Sequence, residues 1–181
     1  MRTRSLILLV LLVTHSGCVI VTYQGFPQVT VPTPPFSTKE ASIPYYVSKP
    51  ANRFDLDRKT MIQAMSQVGI SSVAGAPDTL PEDGRYCSVK ISANIVEPGL
   101  RPMILTVVLP SVDGVLITLD FEVYENRELL QRYQYEFREQ WVAWGPLLAF
   151  LWVNWLTTSK QDAFTATLLQ FIQDAHRDGY L

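Results

Sequence analysis

The chain is poor in the residues that carry most enzyme chemistry. It has 181 residues, of which two are histidine (His15 and His176) and two are cysteine (Cys18 and Cys87). It contains no His-Glu-x-x-His, no Gly-x-Ser-x-Gly, no glycine-rich phosphate loop and no Cys-x-x-Cys. The spacings that zinc hydrolysis, acyl transfer, nucleotide binding and thiol redox chemistry need are therefore missing. Runs of basic residues are missing too. With 15 Lys and Arg against 17 Asp and Glu, the net charge is −2. Nucleic acid and acidic membrane surfaces are poor partners for such a chain. Internal repeats are also lacking.

The few chemically interesting residues have plain readings. His176 falls on the last turn of a C-terminal helix, where it suits the helix end. Cys87 has no flanking charge to lower its pKa and reads as a small buried apolar residue. Asp120 and Glu122 share one face of a strand, but nothing apolar lies beside them to split their pKa values. A solvated sheet face accounts for them. No cofactor or metal is implied, and the chain reads as no enzyme.

What is present begins at the N-terminus. Arg2 and Arg4 precede the aliphatic run Leu6–Val13, which is followed by Thr14-His15-Ser16-Gly17-Cys18. As a helix that run is about 12 Å long, against about 30 Å of hydrocarbon in a bilayer. It is an export signal by length and flanks, not a span. Ser16-Gly17-Cys18 resembles the lipobox of bacterial lipoproteins. The resemblance implies cleavage before Cys18, diacylation of its sulfur and acylation of its amine, with palmitate among the chains expected. Ordinary cleavage before Val19 and an uncleaved anchor are the alternatives. Two or three acyl chains anchor stably where one is marginal. Val19 is not the inner-membrane retention Asp of many enteric bacteria, which implies the periplasmic face of an outer membrane. Loss of residues 1–17 leaves 13 basic side chains against 17 acidic ones.

Three segments follow: the signal 1–17, a lipidated tether 18–42, and one domain over 43–181. The tether is suggested by Val29-Thr-Val-Pro-Thr-Pro-Pro-Phe36, with three prolines within residues 32–35. Such a segment is extended at ~3 Å per residue and could hold a domain away from a bilayer. Within it, Ile20–Tyr23 could instead pair as an edge strand. Ile43–Val47 reads as a short strand, with Pro44 restricting it to an edge or a strand start. Met61, Ala64, Met65 and Val68 then follow helical spacing, with Asp55 or Asp57 as cap and Gly69 as stop.

After a turn-rich stretch the period changes to two. Cys87, Val89, Ile91, Ala93 and Ile95 alternate with Ser88, Lys90, Ser92 and Asn94, up to a turn at Glu97-Pro98-Gly99. Met103–Leu109 reads as a second strand, and Asp113-Gly114 as a hairpin turn. Ile117, Leu119, Phe121 and Val123 mark a third. Glu125-Asn126-Arg127 turns into a fourth, with Leu129, Tyr133, Tyr135 and Phe137 on one face and Leu130, Arg132, Gln134, Glu136 and Arg138 on the other. The pattern is a four-stranded antiparallel meander.

Between Glu139 and Lys160 no residue is charged, and all four tryptophans lie there. Pro146–Thr158 would form a helix apolar nearly all round, which must be covered by protein or lipid. Three placements are open: a core helix over the sheet, a lip dipping into the membrane, or a span. Trp144, Leu148, Leu151, Trp152 and Trp155 are the residues expected to touch membrane or partner. The last helix is conventional. Ser159 caps it, Phe164, Leu168, Phe171, Ile172 and Ala175 form its apolar stripe, and Gly179 follows it.

The expected architecture is α+β: a helix, the four-stranded meander, an apolar Trp-rich helix and a C-terminal amphipathic helix. This order is similar to that of small periplasmic lipoproteins, such as the lipopolysaccharide-assembly lipoprotein and the auxiliary lipoproteins of transporters. That similarity implies a non-enzymatic, membrane-anchored lipoprotein that binds another cell-envelope component. A carrier of lipid or another apolar ligand is the alternative.

Overall fold

The computed structural model describes residues 19–28, 43–48, 55–73, 81–97, 111–143 and 157–181. In chain order the elements are β1 (Val19–Gln24), β2 (Tyr45–Val47), α1 (Asp55–Gln67), β3 (Ser72–Val73), β4 (Arg85–Glu97), β5 (Ser111–Glu125), β6 (Glu128–Ala143) and α2 (Lys160–Arg177). The described strands form one mixed sheet in the order β1-β6-β5-β4-β2-β3. The pairs β4–β5, β5–β6 and β6–β1 are antiparallel, whereas β2 lies parallel to both β4 and β3. The protein is thus α+β, with two described helices.

Alternation decides which face of the sheet is covered. On β5, Val115, Ile117, Leu119, Phe121 and Val123 are buried, and they share one core with Met61, Ala64 and Met65 of α1 and Phe164, Leu168, Phe171 and Ile172 of α2. Both helices therefore lie on the same face. Phe171 is the hub. Its ring stacks on Phe121 at 4.3 Å and meets Tyr133 at 5.5 Å and Tyr45 at 6.5 Å edge-on. Phe137 and Phe164 make a second edge-on pair at 5.4 Å. Such pairs add to the area they bury.

Local chemistry sets the ends of the elements. Ser159 and Asp162 form a capping box at the start of α2, satisfying donors at a helix end that has no intrahelical partner for them. Gly69, after α1, holds a φ of +80°, a conformation open to glycine at no steric cost. Asn126 and Arg127 both take positive φ between the paired Glu125 and Glu128, as a two-residue hairpin loop demands.

Four expectations are corrected, and one choice left open is decided. Val19–Gln24, assigned to the tether, is a strand along the edge of β6, with Val19 opposite Ala143 and Gln24 opposite Arg138. Of the two places left open by Pro44, the structure takes the strand start: Pro44 precedes the paired residues, and β2 lies between β4 and β3. Only the Pro44 carbonyl is used, accepting from the Cys87 amide at 3.0 Å. Asp113-Gly114 is no turn but lies inside β5, with Gly114 facing Glu97 and Gln140. Glycine suits that position because a Cβ there would stand 3.1 Å from Arg138 Nε. Among the described residues, β4 pairs directly with β5, so the antiparallel run β4-β5-β6 has three long strands. The expected strand Met103–Leu109 lies outside the described residues. Finally, a bulge opposite Val123/Tyr124 exchanges the faces expected for Leu129 and Leu130: Leu129 is exposed, and Leu130 packs on the core.

The Phe121–Phe171 stack yields a stability test. Phe121→Ala and Phe171→Ala should each cost ~3–5 kcal/mol, and the double variant should cost less than the sum because one contact is lost twice. Ser92→Ala, at an exposed position of β4, should stay within about 0.5 kcal/mol. Urea unfolding of the four proteins measures this, and additive losses would show that the two rings are not coupled.

Candidate interaction surface

The second face of the sheet carries no described helix. Three zones follow one another along it. At one end Tyr46, Tyr86 and Tyr124 form an aromatic ladder, with Tyr86 stacked on Tyr124 at 5.1 Å and edge-on to Tyr46 at 5.8 Å. In the middle lie Lys90, Asp120, Glu122 and Arg132. At the other end Ile20, Val142 and Val112 sit side by side in one row across β1, β6 and β5. Leu116 is on the same face, four pairs further along β5 and opposite Arg138.

The central charges are not the freely solvated surface expected. Asp120 and Glu122 are buried, at 9% and 5% exposure, beneath longer side chains from neighbouring strands. Lys90 stands opposite Asp120 yet bonds Glu122 at 2.7 Å, while Arg132 stands opposite Glu122 yet bonds Asp120 at 2.9 Å. Each cation reaches the diagonal carboxylate, a distance that long side chains span easily. Tyr124 adds a hydroxyl donor to Glu122 at 2.7 Å. Burial pushes the Glu122 carboxyl up, but the bonds from Lys90 and Tyr124 and the charges of Lys90 and Arg132 outweigh it and hold the group below its usual range. Burial, then the bond to Glu122, pushes the Tyr124 hydroxyl up to about 12. Lys90, Arg132 and Tyr124 thus occupy both carboxylates.

A second charged cluster joins the helices to the edge of the sheet on the core side. Lys160, first in α2, bonds Asp57 of α1 at 2.5 Å and Glu139 of β6 at 3.1 Å. Glu139 also accepts from the Tyr23 hydroxyl at 3.1 Å and from the Trp141 indole at 3.0 Å. Burial lowers the Lys160 pKa, but the hydrogen bond and charge of Asp57, reinforced by Glu139, leave it raised. Sequence reading missed this cluster. Its signal was Lys160 itself, a cation at a helix N-terminus, where the dipole disfavours it unless carboxylates compensate.

The residues singled out beforehand fall as follows. Cys18 lies outside the described residues, but it is one peptide bond from Val19, which opens β1. Trp144, Leu148, Leu151, Trp152 and Trp155 also lie outside them, with Trp144 following Ala143 at the end of β6. Cys87 is fully buried and free, and burial followed by the Glu122 charge pushes its thiol pKa up, so it is an inert packing residue. Among the described residues, no group of three or more His, Cys, Asp or Glu could hold a metal ion, and no helix is long and apolar enough to cross a membrane.

No family model matches the chain, and no curated protein matches its sequence. Solved structures with a similar chain course include the rare lipoprotein B from Shewanella oneidensis, with 10% identity, 74% of this chain and 97% of that one covered, and a TM-score of 0.39. Another is a homolog of neuraminyllactose-binding hemagglutinin from Helicobacter pylori, with 12% identity, coverage of 77% and 90%, and a TM-score of 0.36. These are loose likenesses of backbone course. The functional reading rests on the residues described above.

The Glu122 cluster makes stability depend on pH. Its folded pKa is depressed, so the stabilisation is complete above the unfolded carboxylate value of ~4.3 and is lost as pH falls from there through the folded value. Urea midpoints should therefore drop below about pH 4.5, and Glu122→Gln should flatten that drop while lowering stability at neutral pH. Parallel curves for the two proteins would mean that this carboxylate contributes nothing.

Proposed function

We propose that the chain is a lipid-anchored protein of the bacterial cell envelope that acts by binding another envelope protein, without catalysis. One observation carries the reading. The residue after the lipobox-like cysteine is the first residue of a strand built into the sheet. The attachment point is thereby a structural part of the domain, as suits a protein that must present one surface from a membrane. The surface it presents is the open sheet face. There the charges are already paired among themselves, and at one end the half-exposed Tyr46 and Tyr124, held by the buried Tyr86 between them, supply rigid, amphipathic contact area.

The carrier reading has less support. The space between helices and sheet is filled by stacked and edge-on rings. A cleft of about 210 Å³ lies between Phe26-Pro27-Gln28 and Asp162, Thr165, Ala166 and Leu169 of α2. Pockets for small ligands run to roughly 300–1,000 Å³.

Mass spectrometry of the mature N-terminus should find an acylated Cys18, and Cys18→Ser should release the protein from membranes or leave the precursor uncut. A start at Val19, or a retained Met1, sinks the anchor. For the partner, a photo-crosslinking residue placed at Gln134, exposed on the open face, should capture an envelope protein in intact cells. The same residue at Lys59, exposed on α1, should not. Capture from Lys59 alone would put the binding surface on the helices instead.

A further inference from the structure

The end of the sheet that holds the row Ile20, Val142 and Val112 has three further properties. Its chain exits include both Val19 and Ala143, which face each other across the β1–β6 ladder. Large hydrophobic residues are also exposed at this end, whose strands carry as well the polar Asn94 and the charged Asp113 and Glu97. Ile95 is 70% exposed, Val96 48% and Val112 44%, three of the four large hydrophobic residues exposed among the described ones. Ile95 pairs with Val115, Val96 is the bulged residue after it and Glu97 closes β4 opposite Gly114, so all three belong to this end, with Val112 two residues before Gly114 on β5. No described charge interrupts the row Ile20, Val142, Val112. The ion pairs of the open face begin beyond Leu116.

We propose that this end of the sheet docks on the lipid bilayer to which Cys18 is attached, so that the strands meet the membrane end-on. The inference rests on the reading of Cys18 as the lipid site. Lipid is the occupant because of where the anchor enters. If β1 stays paired with β6 along its whole length, only one peptide unit separates the acylated residue from the sheet. The acyl chains must then bring Val19 to headgroup depth, and Ile95, Val96 and Val112 come with it. A tether that freed the domain would have to strip six residues of β1 from the ladder. End-on docking also leaves the open face standing away from the membrane, where a protein partner can reach it.

The test uses the full lipidated chain. Single cysteines introduced by Ile95→Cys, Val112→Cys, Gln134→Cys and Lys59→Cys are labelled with an environment-sensitive dye, Cys87 being buried and unreactive in the folded protein. The proteins are reconstituted into phosphatidylethanolamine–phosphatidylglycerol vesicles carrying brominated acyl chains. Labels at 95 and 112 should shift to the blue and lose at least half their emission to the bromine, while those at 134 and 59 should be unaffected. Equal behaviour of all four labels overturns the proposal and means that the domain is suspended clear of the bilayer. Quenching at 134 or 59 instead of 95 and 112 overturns it in favour of another face. Mass spectrometry of the same samples separates this failure from that of the anchor: an unacylated Cys18 defeats both readings, whereas an acylated one with unquenched labels defeats docking alone. Should Ile95→Cys perturb the fold, Ile20→Cys reports from the same end.

Discussion

The contact between Phe121 and Phe171 is the constraint on which the rest of the structure depends. Phe121 sits in the middle of the central long strand and Phe171 in the middle of the C-terminal helix, and their rings stack at 4.3 Å. Because Phe121 points to the helices, every second residue of β5 does so too, which places Val115, Ile117, Leu119 and Val123 in the core. The same alternation sends Asp120 and Glu122 to the opposite face, which carries no described helix. The position of α2 then governs that of α1. The first turns of α2 lie against α1, with Lys160 reaching Asp57 while Gln161 and Thr165 reach Gln67.

Two charged clusters, one on each side of the sheet, meet the cost of burial differently. On the open face, two cations and two carboxylates balance, crossing diagonally so that each buried oxygen finds a donor. On the core side, one lysine serves two carboxylates, with a tyrosine and a tryptophan completing the second. Removing Lys160 would leave Asp57 and Glu139 buried without their cation, a change of the kind that destabilises strongly. That cluster also bolts β1 in place, since Tyr23 is one of its donors. The edge strand is held by its ladder and by a buried polar anchor together, which matters because β1 continues from the expected lipid site.

This changes the meaning of the N-terminal region. Read as a flexible leash, residues 18–42 would separate anchor from domain by tens of ångströms. With β1 in the sheet, the proline-rich stretch lies between two strands of the same domain and separates nothing from the membrane. An anchor at Cys18, as proposed, would join the domain at the corner where β1, β6 and β5 align Val19, Ala143 and Ser111.

Periodicity alone determined much of this protein. The stripes Met61, Ala64, Met65 and Phe164, Leu168, Phe171, Ile172, the alternation of β4 and β5, the cap at Ser159 and the turn at Asn126 were all legible, since each depends on neighbours within a few residues. Only the tertiary structure decided the pairing of β1 with β6, the interior place of β2, the continuation of β5 through Asp113-Gly114 and the exchange of Leu129 with Leu130. It also decided the burial of Asp120 and Glu122 and the meeting of Lys160 with Asp57 and Glu139. Apart from the bulge at Leu130, whose partners lie within eight residues, those outcomes depend on partners at least ten residues away, and most on far more distant ones. A local rule sees a proline, a glycine or a charge and assigns it to an edge, a turn or a wet surface. It has no access to the strand whose side chains later cover that charge, or to the arginine that takes the space a Cβ would have filled.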